Sequence, residues 1–120
     1  MPGGPASNLP AAPKRSGELI CHALVEEEWS VGKAVVVGAV TLIYDPGHDV
    51  LSHTLTRTQH ENHDAIVSSQ HIHLDEDNRL EVIMLRGIAA DVHQLADHLR
   101  NLEGMKCGQF LMTTTGKGLG

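Results

Sequence analysis

Beyond Gly32 the spacing of apolar positions changes several times, and each change marks an element. Ala34 to Tyr44 (AVVVGAVTLIY) is β-branched and almost continuously apolar, which predicts a strand buried on both faces. Asp45-Pro46-Gly47 predicts a turn, with Pro pre-set for its φ and Gly supplying a positive one. Asp49 is placed to cap a helix running to about His60 or Asn62. Its apolar stripe is Val50, Leu51 and Leu55, extended by Thr54 and Thr58. Ala65 to Leu74 alternates, as a half-buried strand does. Asp75-Glu76-Asp77-Asn78 is a polar turn, and Leu80 to Leu85 completes a hairpin. In the next segment Ile88, Val92, Leu95, Leu99 and Leu102 step by four and three. They predict a helix over 88–102, with Gly104 as its left-handed terminal residue. Met105 to Thr113 reads as the last strand.

The order β-α-β-β-α-β predicts an α+β, ferredoxin-like (ACT-like) sandwich, with two helices on one face of a four-stranded antiparallel sheet. The other sheet face then needs cover, which a second copy of the chain would supply. The expected organisation is a flexible tail over 1–17, where four prolines and three glycines fall, and an extension over 18–31. The domain follows over 32–113, with a short tail over 114–120. The extension stays ambiguous: Leu19, Ile20, Ala23 and Leu24 suit a helix stripe, yet LICHALV would pass as a strand.

Composition narrows the classes. The 120 residues suit one domain, and 15 acidic against 9 basic residues give a net charge of −6. That balance, with only Trp29, Tyr44 and Phe110 available for stacking, argues against nucleic-acid binding. No apolar run is long enough to span a membrane. Two cysteines without a signal peptide suggest a reducing cytoplasm. Histidine is in excess: nine in all, six of them between His48 and His73.

Period-two alternation puts Ile66, Ile72 and Leu74 on one face of the second strand and Val67, Ser69, His71 and His73 on the other. Two imidazoles at i and i+2 point the same way and can converge on one ion, although they also suit an exposed polar face. Upstream lies Gln59-His60-Glu61-Asn62-His63-Asp64, at the end of a helix on which His53, Arg57 and His60 share a face. His60 could equally serve as a cation at a helix C-terminus, and His63 and Asp64 as polar loop. Neutral imidazoles favour borderline ions: Ni²⁺, Zn²⁺, Co²⁺ or Cu²⁺. Cys107 reads as small core filler, and His93 and His98 as a solvated face. Cys21-His22 could add ligands, and His48 with His53 could form a secondary surface site.

The run TQHENHDAIVSSQHIHLDEDNRLEVIMLRG resembles the metal-binding region of the nickel-responsive transcriptional regulator family. That family carries Gln-His-x-x-His-Asp, then His-x-His on a strand and a Leu-Glu-Val-like strand ending near Gly. The similarity covers about residues 33 to 112, the family's whole regulatory domain. The resemblance implies a homotetramer, or at least a dimer, with each metal between two subunits. His71 and His73 would come from one chain and His60 from its neighbour. His63, Asp64, Arg79 and Glu81 are possible further ligands or neighbours of the ion. The family's fourth ligand, a cysteine completing a square-planar nickel site, falls at Arg79, and a guanidinium cannot ligate. The expectation is three imidazoles with water or a carboxylate in fourth place, weaker and less nickel-selective binding, and Arg79 turned away or paired with Glu81 or Asp77. The family's ribbon-helix-helix module is longer than the segment before residue 33, and Glu26-Glu27-Glu28 has the wrong charge for phosphates, so no direct DNA contact is expected.

Several functions fit these residues. The leading one is a metal-responsive regulatory domain without catalysis. A metal buffer or trafficking protein would use the same residues. A small-molecule-binding regulatory domain with a degenerate metal site would share the fold. The sequence shows no nucleophile–base pair and no phosphate-cradling glycine loop, so an enzyme is not expected.

Overall fold

The computed structural model describes residues 15–119. Its elements are α1 (Arg15–Val31), β1 (Val35–Tyr44), α2 (Asp49–Glu61), β2 (Ile66–Asp75), β3 (Asn78–Ile88), α3 (Ala89–Arg100), β4 (Cys107–Met112) and a 3₁₀ turn (Lys117–Leu119). The strands form one antiparallel sheet in the order β2-β3-β1-β4, the ferredoxin-like arrangement expected from the element order. Helices cover a single face. There Val36, Val40, Leu42, Ile83 and Leu85 from the sheet meet Leu51 and Leu55 of α2 and Val92, Ala96 and Leu99 of α3. Gly38 admits Phe110 to this layer, since a Cβ there would lie 2.6 Å from the Phe110 ring.

The ambiguous extension is helical. Its C-terminal end stops at Gly32, whose φ of +79° suits glycine and whose N–H donates to the Glu28 carbonyl at 3.2 Å. Trp29 fixes this helix to the sheet: its indole N–H donates to the Thr113 carbonyl at 2.8 Å and its ring meets Phe110 edge-on at 5.3 Å. α1 starts at Arg15, inside the segment expected to be tail. The rest of that expectation, positions 1–14, lies outside the described residues, as does Gly120. The C-terminal tail also has structure, because its 3₁₀ turn packs against α1 near Leu24.

Other local expectations change for physical reasons. β1 is buried alternately rather than on both faces, because one chain supplies helices to one side of its sheet. The opposite face presents Val35, Met84, Ile88 and Leu111, each between 40% and 65% exposed. Cys107 lies on the same open face, opposite Ile43, and is exposed rather than core filler. Gly47 does not take a positive φ. The Asp45 carboxylate closes that turn by accepting the Gly47 N–H at 2.8 Å. His48, not Asp49, caps α2, its Nδ1 accepting the Leu51 N–H at 3.1 Å, which engages one nitrogen of that ring.

Candidate metal centre

β2 places the histidine pair, and a bulge decides which way it faces. Ile66 pairs with Leu85 but Ser68 pairs with Met84, so Val67 is an extra residue in the strand. The alternation therefore slips once. Ile66 shares the helix-side face with Ser69, His71 and His73 instead of opposing them, and it packs on the core. Simple alternation separates these residues because it has no means of seeing the bulge.

On this face the sheet sets two cross-strand rows. Leu42, Glu81 and His71 lie side by side, and next to them Tyr44, Arg79 and His73. Glu81 is the hub. Only 6% exposed, it accepts from the Tyr44 hydroxyl at 2.6 Å, the Gln59 amide at 2.9 Å and the Ser69 hydroxyl at 2.7 Å. Its charge is thus held by oriented neutral donors. Gln59 precedes His60 on α2, and Ser69 lies two residues before His71 on β2. One carboxylate therefore ties together the two elements that carry histidines. With both oxygens engaged, Glu81 is a supporting residue rather than a ready ligand, and it forms no ion pair with Arg79 within 4 Å. Nor does Asp77, whose backbone carbonyl accepts from Lys106 at 3.1 Å.

Burial and the Glu81 carboxylate push the Tyr44 phenol up to about 12, with Arg79 partly opposing them. The raised value means that this residue's contribution to stability is present below pH 10 and is lost as the pH rises through about 12. Tyr44 is the only tyrosine, so ultraviolet titration reads it directly. Phenolate absorbance should emerge near pH 12 in the folded protein and near pH 10 in denaturant. A folded-state midpoint near 10 would contradict the buried hydrogen bond.

His71 and His73 are exposed on β2, and His60 is exposed on the last turn of α2. The His60 and His63 ring centroids are 6.5 Å apart. His63 makes local contacts, with Nδ1 3.2 Å from the His60 carbonyl and Nε2 3.2 Å from Asp64. Among the described residues, no group of three or more His, Cys, Asp or Glu side chains within the chain could hold an ion. His60 therefore does not complete a ligand set with His71 and His73 of its own chain. Tyr44 had no sequence signal as a member of this cluster, and alternation placed Ser69 beside His71 and His73 without showing its bond to Glu81. Gln59 was visible only as a neighbour of His60.

The donor chemistry fits a borderline divalent ion in part. Two imidazoles two residues apart on one strand face are suitable, and a third from elsewhere would give three nitrogens. Arg79, opposite His73, can supply no ligand.

Residues 37–113 match the family model described as NikR C terminal nickel binding domain. Proteins named "Putative nickel-responsive regulator" are similar over most of the chain. That of Geobacter sulfurreducens is 48% identical over 102 residues, 85% of this chain and 73% of its own length. Those of Solibacter usitatus and Pyrococcus horikoshii are 46% and 41% identical, over 82% and 85% of this chain and 71% and 74% of their own. The 102 matched residues outrun the 77 of the family match (37 to 113), and at most 7 can lie beyond residue 113, so the similarity to the Geobacter protein reaches into α1.

Proposed function

The chain belongs to the family of the NikR C-terminal nickel-binding domain, and from that premise we propose that it is a metal-responsive regulatory domain binding a divalent ion between subunits. His71 and His73 of one protomer and His60 of the partner subunit would hold the ion, with Ni²⁺ first and Zn²⁺, Co²⁺ or Cu²⁺ as alternatives. The observation that carries this reading is the pair of imidazoles on one face of an edge strand, exposed, and without a third ligand among the described residues of their own chain. The ion supplies a charge that two protomers share. Loading it would favour the subunit arrangement in which the three rings meet. Catalysis forms no part of this role, and the cytoplasm is its proposed compartment. No helix among the described residues is long and apolar enough to cross a membrane. Arg79 makes the binding weaker and less nickel-selective than a thiolate would, and it keeps metal buffering or a degenerate site as the competing role.

The open sheet face supports self-association, with a homotetramer as the proposed state. Val37, Ala39, Ile43, Val82 and Met84 form its centre, and covering this area with an identical sheet removes it from water. Met84→Lys puts a charge in the middle of that face. The variant should stay folded by circular dichroism and sediment as a smaller species than the parent. Identical sedimentation of the two proteins would place the subunit contact elsewhere. Dialysis against Ni²⁺ followed by elemental analysis tests metal binding itself, and parent protein with no bound metal would end this reading.

A further inference from the structure

Arg79 is a cation on the helix-side face with no carboxylate of the described residues within 4 Å, and its side chain shares the Tyr44 hydroxyl with Glu81. It is partly buried between Tyr44 and His73, and its Nε is shielded from water with no hydrogen-bond partner among the described residues. The carboxylate two residues along, Glu81, is engaged at both oxygens by Tyr44, Gln59 and Ser69. The hairpin acids do not serve it either. Asp75 accepts from Asn78 at 3.0 Å and 3.1 Å and from the Asp77 N–H at 2.8 Å, and no ion pair joins Arg79 to Asp77. A half-buried guanidinium bonded to a neutral hydroxyl and out of reach of any carboxylate among the described residues can take an anion on its remaining N–H groups, and its planar fork best matches a two-oxygen one.

His71 and His73 share this face, His73 directly across from Arg79. Resting on the metal reading above, we infer that Arg79 holds a small carboxylate-type anion beside the histidines, and that this anion supplies the negative charge a protein ligand would otherwise bring. The charges agree. Three neutral imidazoles leave a divalent ion uncompensated, and Arg79 adds a further positive charge. One monoanion lying between ion and guanidinium lowers the repulsion on both sides. The ligand class is a carboxylate or bicarbonate, and metal and anion then bind cooperatively. A cation that would weaken a metal site by itself becomes the residue that makes the site anion-dependent.

The test is Ni²⁺ affinity of the full chain by equilibrium dialysis at constant ionic strength, in sodium chloride, sodium acetate or sodium bicarbonate. The same series is run on Arg79→Met and Arg79→Cys, with folding followed by circular dichroism. For the parent, acetate or bicarbonate should raise affinity roughly tenfold over chloride after correction for metal complexed in solution. The more effective of the two identifies the anion's source. Arg79→Met should bind metal with no such gain. Arg79→Cys carries its own anionic ligand and should bind nickel more tightly than the parent in every buffer. Parent protein that binds Ni²⁺ equally in all three buffers would overturn the anion inference and leave the metal reading intact. Absence of Ni²⁺ binding in every buffer would overturn both.

Discussion

Replacing Glu81 by leucine should cost the domain roughly 2–4 kcal/mol, a large share of the stability of a fold this size. The side chain is 6% exposed and accepts three hydrogen bonds. Leucine leaves the buried Tyr44 hydroxyl without its acceptor, and an unsatisfied buried donor costs about 1–3 kcal/mol. The half-buried Gln59 amide loses its partner too. Ser69 is exposed and can turn to water, so its loss is small. Part of the cost is offset because a buried charge no longer has to be desolvated. Glu81→Gln keeps the shape and one acceptor oxygen and should fall between parent and Glu81→Leu. Urea unfolding at neutral pH gives the ranking. A leucine variant as stable as the parent would show that the network contributes little.

Loss of metal binding in His71→Ala and His73→Ala is the second large effect. Outer-shell substitutions at metal sites typically cost about 10–100-fold in affinity, and removal of one of three direct nitrogens should exceed that. Both variants should remain folded and keep the parent's assembly state, because the two rings are exposed and outside the buried core. His63→Ala is the control: that imidazole is already engaged with the His60 carbonyl and Asp64 and should change nickel affinity little. A His63 variant as defective as the other two would shift the centre toward the end of α2.

The sheet and the two helices that pack on it were legible because their signals are local: a β-branched run, an alternating pair around a polar turn, and a four-three stripe. α1 was not, since a short apolar run fits helix or strand and Trp29 settles it through a contact 84 residues away. The histidine pair was legible as a spacing, but its face was not. One extra residue at Val67 reverses the alternation, and a bulge is a property of pairing that no single strand reveals. Glu81 was readable as a site residue through the family motif. Its engagement by Tyr44 was not, because those residues lie 37 positions apart and meet only through the register of β1 on β3.

The sharing of one ion by two subunits can be read from mixed assemblies. His60→Ala chains and His71→Ala/His73→Ala chains should each bind little Ni²⁺ alone. Unfolded together and refolded, a mixed pair would hold one intact ligand set, with His60 from one chain and His71 and His73 from the other, beside one set broken on both sides. Elemental analysis of the isolated mixed assembly should then recover about half of the parent's nickel. Mixed assemblies that bind no more nickel than either variant alone would contradict a centre built from two protomers.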